Sequence, residues 1–207
     1  MKDILIIGCG GHAKVVYDVI EQAKNYNIVG FISEKKDNKF EYRGKKAIGT
    51  DEQLIELYKS GIQHAVVGIG YLGDSQVRDR VYTKLKKIGF EIPALVDITA
   101  KLAADVKIGE GAFIGKGAII NSNAIIDDMA IINSGAIVEH DCKVGQFSHV
   151  SIATNLCGSV VVGHHTFIGA GTTIIQCVAI GNNVVVGAGS TVLNDISSNS
   201  KVFGIVK

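Results

Sequence analysis

Two histidines stand out in "IVEHDCKVGQFSHV", residues 137–150: His140, flanked by Glu139 and Asp141, and His149. A carboxylate beside an imidazole fixes which ring nitrogen is protonated and raises the basicity of the other, as a general base near neutral pH requires. The rival chemistry is metal binding, with His140, His149, His164 and His165 as the imidazoles to be gathered. A second candidate is "IIGCGGHAKV", which sets Gly8, Gly10 and Gly11 between an apolar run and an amphipathic one. Backbone amides in that setting hold anions at a helix N-terminus. Ala13 takes the third glycine position of G-x-G-x-x-G, so the dinucleotide fingerprint is incomplete.

What must position the histidines is a six-residue period. From Leu102, Ile108 and Ile114 to Val192 every sixth residue is aliphatic, sixteen in succession. Two residues before each stands a small or β-branched residue, such as Ala112, Ala118, Thr154 or Thr166. The residue just after is often a turn-former, as at Gly109, Asn121 and Gly187. This is the pattern of a parallel β-helix with three short faces, about eighteen residues per coil and about five coils.

On that prism His140 falls in a turn, while His149, next to inward Val150, points outward. No two of the four histidines are one or two coils apart, so none share a column and the geometry disfavours a metal. The triplet Gly169-Ala170-Gly171 does stack on Gly187-Ala188-Gly189, making a side-chain-poor groove for an extended chain such as the pantetheine arm of coenzyme A. A plainer role for Gly169 and Gly187 is positive φ in tight turns. The segment "NDISSNSKVFGIVK" is expected to leave the barrel.

Residues 1–95 follow another rule. "DILIIG", "NIVGFIS", "HAVVGIG" and "EIPALVD" read as strands, and "GHAKVVYDVIEQAK", "DEQLIELYKSG" and "SQVRDRVYTKLKKIG" as helices. The alternation predicts a Rossmann-like α/β domain over 1–95, a parallel sheet covered by helices, followed by the β-helix over 96–207. Such sheets bind ligands at their carboxyl edge, which here gathers Gly10, Gly11 and His12, then Ser33 and Glu34, then Gly70. A diphosphate-linked sugar suits that edge; a tight turn with no ligand is the alternative.

Of the 207 residues 47% are apolar, enough for real cores, and 21 Lys and Arg nearly cancel 20 Asp and Glu. No global field draws in nucleic acid or an anionic membrane. No stretch reaches the roughly 20 apolar residues of a span. The opening does not read as a secretory signal, so the cytoplasm is expected. Cys9, Cys142, Cys157 and Cys177 form no Cys-x-x-Cys pair and read as reduced core or turn residues.

"IIGCGGHAKVV" followed by "GAFIGKGAIINSNAIID", "INSGAIVEHDCKVGQFSHVSI" and "GAGSTVLNDI" resembles the bacterial hexapeptide-repeat sugar acyltransferases, over nearly the whole chain. Within them it is similar to the branch of UDP-4-amino-sugar N-acetyltransferases and sialic-acid O-acetyltransferases. The resemblance implies a left-handed β-helix, a homotrimer, and acetyl-CoA lying in a groove between subunits, with no metal. It implies His140 as general base, Asp141 as its carboxylate and His149 near the thioester carbonyl. Ala170 and Ala188 match coenzyme contacts, and Gly158 and Gly187 are taken with them as coenzyme-binding positions. Gly10, Gly11 and His12 match the nucleotide-sugar loop. The chain departs from the family in carrying Ser33-Glu34 where an acid pair is usual, and in ending "FGIVK" where Gly-x-Pro-Ala-Lys is usual. A β-helix that only binds nucleotide-sugar, and a metal-dependent carbonic anhydrase of the γ type, remain the other classes of reading.

Overall fold

The computed structural model describes residues 1–35, 39–73 and 76–207. By contact the chain forms two units, Met1–Gly70 with Gln76–Leu95, and Tyr71–Ser75 with Val96–Lys207.

The first unit is an α/β sheet of order β3-β4-β2-β1-β5. Strands β1 (Lys2–Ile7), β2 (Tyr26–Ser33), β4 (Lys45–Thr50) and β5 (His64–Val67) run parallel, and β3 (Glu41–Tyr42) joins β4 as an antiparallel edge. Helix α1 (Gly11–Ala23) buries Ala13, Val16, Tyr17, Val19 and Ile20, the stripe that its 3.6-residue period provides. It stops at Lys24, whose left-handed φ of 55° ends the hydrogen-bond ladder. Helices α2 (Leu54–Lys59) and α3 (Val77–Ile88) are shorter than their sequence patterns. Ser75, where the pattern of α3 begins, lies outside the described residues. Among the described residues no helix is long and apolar enough to cross a membrane.

Two expectations for this half need correction. The β3–β4 pair was missed, because "EYRGKKAIGT" is too polar to show strand alternation. "EIPALVD" is not a fourth parallel strand of the sheet: only Leu95–Val96 (β6) is extended, and it joins the β-helix, leaving a single bridge between Glu91 and His64.

In the second unit, sixteen two-residue strands from β7 (Lys101–Leu102) to β22 (Thr191–Val192) recur every six residues, and the second residue of each is an inward aliphatic of the expected series. Each pairs in parallel with the strand one coil away, as Ile119 with Ile137 and Ile120 with Val138. Three flat faces result. The first carries outward Phe113, Ile131, His149, Phe167 and Val185; the second Ile119, Ile137, Asn155, Thr173 and Thr191; the third Ile125, Lys143, Val161 and Ala179.

Inside, Ile114, Ile132, Val138, Val150, Leu156 and Ile168 are wholly buried, with Ala118, Ala124, Ala130 and Ala136 filling the narrow corners. Threonines occupy several such corners because their hydroxyls find partners: Thr166 Oγ1 donates to Gly181 O at 2.8 Å, and Thr172 Oγ1 to Gly187 O at 3.1 Å.

The turns refine the reading of the repeat. Positive φ, 53° to 68°, falls three residues after every inward aliphatic from Ile108 to Val186, at Asn123, Met129, Asp141, Phe147, Gly171 and Gly189 among others. The glycines directly after the aliphatics meet a different demand, close stacking of coils. A Cβ on Gly145 would sit 2.7 Å from Gly163 C, and one on Gly169 would sit 2.5 Å from Ala188 N. Gly169 and Gly187 therefore do not supply positive φ, contrary to the plainer reading of them.

The final segment does not leave the barrel. Lys201–Val202 (β23) pairs with Val185–Val186 (β21), and Ile205–Val206 (β24) pairs with Thr191–Val192, adding a further coil. Partners there are 16 and 14 residues apart, where earlier strands keep 18, so the six-residue count loses the pattern.

Candidate functional site

His140 and Asp141 sit at the corner between the second and third faces, residues 139–142. Asp141 occupies the left-handed position at φ 60°, which Asp tolerates better than most residues. Its Oδ2 accepts a 2.8 Å hydrogen bond from His140 Nδ1, and its Oδ1 accepts one of 2.8 Å from Asn123 Nδ2, one coil earlier. Asn123 and then His140 hold the Asp141 carboxyl below its usual range. With Nδ1–H committed to the carboxylate, the neutral imidazole presents Nε2 as an acceptor. The His140 side chain is 60% exposed, so a reactant can reach it. Glu139, alongside, is held by Asn121 Nδ2 at 2.9 Å.

Gly158 lies one coil beyond His140 on the same column. A Cβ there would be 2.6 Å from both Cε1 and Nε2 of the imidazole. The ring thus rests over the bare glycine, which gives Gly158 a part in placing His140.

The two glycine-flanked triplets stack at another corner, between the first and second faces. Gly171 N donates to Ile152 O at 2.9 Å and Gly189 N to Ala170 O at 2.8 Å, and Ala170 and Ala188 are the only side chains on the strip. At its far end the Phe203 ring lies against Gly187, where a Cβ would collide with it, yet Phe203 stays 70% exposed.

His149 differs from expectation. It points outward from the prism, but it is only 7% exposed, because residues 71–73 lie over the first face. Its Nδ1 donates to Tyr71 O at 2.7 Å, and its Nε2 accepts from Asn133 Nδ2 at 3.0 Å. The Asn133 amide is oriented by Ser134 N, which donates to its Oδ1 at 2.8 Å. Tyr71 also donates from its hydroxyl to His165 O at 2.6 Å. The cover comes from 78 residues upstream, which a local reading of the hexapeptides does not register.

His140 and His149 do not meet within one chain. The corner that holds His140 joins the second and third faces, and His149 is on the first, the opposite side of the triangle. His164 and His165 occupy the third corner. Among the described residues no group of three His, Cys, Asp or Glu side chains is placed to hold a metal ion.

In the first unit, a cavity of about 400 Å³ opens at the carboxyl edge of the sheet. It brings Ser33 and Glu34 beside the Gly8-Cys9 turn, as expected for that edge, and adds Lys35, Asp51 and Arg80. The last two were missed, since they come from β4's end and from α3, where no motif marks them. Gly10, Gly11, His12 and Gly70 do not line it. Gly10 and Gly11 are exposed at the start of α1, and a Cβ on Gly70 would stand 3.8 Å from His12 Cβ. Gly8, at φ 122°, closes the turn against Gly68. A larger hollow of about 990 Å³ between α2 and α3 shares Arg80 with that cavity and holds none of the residues expected from the sequence.

All four cysteines are free thiols. Burial pushes Cys142 up to about 11 and raises Cys9 as well, so neither is set up as a nucleophile at neutral pH.

The model of the PglD N-terminal domain matches residues 3–85, and that of the bacterial transferase hexapeptide (six repeats) matches residues 159–194. The crystal structure of a GDP-perosamine N-acetyltransferase variant from Caulobacter crescentus, in complex with CoA and GDP-perosamine, is similar with a TM-score of 0.92 at 32% identity, covering 99% of this chain and 94% of that chain. The acetyltransferase domain of PglB from Neisseria gonorrhoeae gives 0.89 at 26% identity, covering 99% and 97%. Its complex with acetyl coenzyme A gives 0.88 at 26% identity, covering 98% and 96%.

Proposed function

This chain belongs to the hexapeptide-repeat sugar acetyltransferases, and on that premise we propose that it transfers the acetyl group of acetyl-CoA to the amine of a nucleotide-linked amino sugar destined for a bacterial surface glycan. The acceptor we infer is a UDP-linked 4-amino-sugar. A GDP-linked one is the second reading, favoured by the likeness to the Caulobacter crescentus protein.

The observation that carries the reading is the His140–Asp141 pair over Gly158. Asp141 keeps the proton on Nδ1, so Nε2 of His140 accepts one from the attacking amine. As that proton leaves, the amine nitrogen bonds to the thioester carbonyl carbon. The C–S bond then breaks, and His140 returns the proton to the departing sulfur. Anionic Asp141 stabilises the imidazolium between these steps. No covalent acyl-enzyme is required when both substrates are held in register.

Coenzyme A is taken to lie along the Ala170 and Ala188 strip with Gly187 beside it, and Gly158, on the His140 column, is taken to face that groove from the neighbouring copy. The strip and His149 are on other parts of the prism from His140. This supports a homotrimer in which one copy's His140 faces the groove of its neighbour. The nucleotide belongs at the carboxyl edge of the first unit, with Ser33 and Glu34 toward the base or ribose and the amides of Gly10, Gly11 and the following residues toward phosphate. His149, with both ring nitrogens engaged, acts by holding the Asn133 amide rather than by donating to an oxyanion itself.

The test is His140→Ala, assayed by release of free CoA thiol with UDP- and GDP-linked amino-sugars. Turnover should fall by about 10² to 10⁴, while acetyl-CoA affinity and oligomeric state stay as in the parent. Near-parental turnover removes His140 from the mechanism, and preference for the GDP-linked acceptor replaces the first reading of the nucleotide by the second.

A further inference from the structure

We propose that Asn123 is a positioning residue for this reaction: its carboxamide holds one oxygen of Asp141 so that the other faces His140. The proposal rests on His140 being the base. Asn123 and Asp141 occupy the same turn position on successive coils, both in the left-handed region, at φ 59° and 60°. Their side chains therefore leave the corner in the same direction, one above the other. The amide reaches Oδ1 at 2.8 Å and the imidazole reaches Oδ2 at 2.8 Å, so each oxygen has one assigned donor.

The need for such a donor follows from exposure. The Asp141 side chain is 48% exposed, so the rotation of its carboxylate is set by the hydrogen bonds it accepts more than by burial. Without Asn123, water competes for both oxygens and Oδ2 drifts from Nδ1. The other charged group of this corner is Glu139, tied back by Asn121. On the third face Lys143 stands 3.9 Å from Asp127 and does not serve Asp141 in this arrangement. Asp105, one coil before Asn123 in the same column, is the remaining carboxylate of that line. The low-lying carboxyl of Asp141, attributed first to Asn123, agrees with the geometry.

A purely structural ladder is the competing role, as between Asn183 and Asn199 at 3.2 Å. The two are separated by kinetics. Asn123→Gly keeps a residue at ease with φ 59° and removes only the carboxamide. Asn123→Asp keeps the shape and sets two carboxylates against each other. Asn123→Gly should lose about tenfold in kcat, the worth of one hydrogen bond to a charged group. KM for both substrates should stay within about twofold, and the acid limb of kcat/KM should move to lower pH as the imidazolium loses its fixed partner. Asn123→Asp should lose more. Parental kcat with an unmoved limb in Asn123→Gly overturns the proposal, as does a fall in melting temperature with kcat retained. If His140→Ala is active, the base assignment fails first; if it is inactive while Asn123→Gly is fully active, only Asn123's role fails.

Discussion

Replacing Gly158 by Ala should separate activity from stability. The new Cβ would lie 2.6 Å from Cε1 and Nε2 of His140, a contact that real Cβ atoms do not make, so something must move. The backbone has no reason to, because Gly158 is not in the positive-φ region and alanine fits its conformation. What yields is the exposed imidazole, and its swing breaks the 2.8 Å bond to Asp141. A hydrogen bond to a charged group is worth about 1.5–3 kcal/mol. Lost from the transition state, that is about 10- to 150-fold in kcat. Stability should hold or rise by about 0.4–1 kcal/mol, since alanine has less freedom to lose on folding. Steady-state thiol release and thermal melting measure the two effects. In a His140→Ala background the Gly158→Ala change should cost nothing further, because the ring it displaces is gone. A kcat within about twofold of the parent refutes the reasoning. So does a lowered melting temperature, which would mean that the coil, and not the imidazole, gave way.

Gly169→Ala should do the reverse. Its Cβ meets the backbone at Ala188 N and Val186 O, which cannot step aside, so a loss of about 1–3 kcal/mol is expected; an unchanged melting temperature contradicts the coil stacking described. Mass spectrometry after brief iodoacetamide treatment at pH 8 should find exposed Cys177 modified first and Cys142 last, since a thiol near 11 supplies little thiolate; early loss of Cys142 contradicts its burial. Phe203→Ala should raise KM for acetyl-CoA about tenfold if the exposed ring stacks on the adenine, an interaction worth about 1–3 kcal/mol. It should leave acetyl-pantetheine, which lacks adenine, unaffected; equal effects on both refute that stacking.

The β-helix was legible because its signal repeats: each inward aliphatic from Leu102 to Val192 is the second residue of a strand. The reading broke where the count broke, after Val192, because Val202 and Val206 pair at 16 and 14 residues. It also misjudged turn chemistry. Gly169 and Gly187 looked like turn glycines, whereas the left-handed residue is two further on, at Gly171 and Gly189, and the earlier glycines answer to the next coil's backbone. His140 and Asp141 were recognisable as neighbours in sequence. Asn123 and Gly158 carry no local signature of their parts, because each acts on a partner eighteen residues away, across a full coil. His149 was placed correctly by parity and wrongly by exposure, since its cover is Tyr71, which no period connects to it. Arg80 and Asp51 belong to a cavity assembled from four loops and a helix, and neither carries a local signature.

The shortened last coil bears on self-association. A regular β-helix could in principle go on accepting rungs, its open terminus serving as a template for strands of another molecule. By bringing β23 and β24 in early, with Phe203 and Ile205 exposed on them, the chain gives this part of the prism an uneven edge in place of a regular one. Cutting the protein after Asn199 would lay the edges of β21 and β22 bare, and the truncated molecules should polymerise end to end into threads that scatter light.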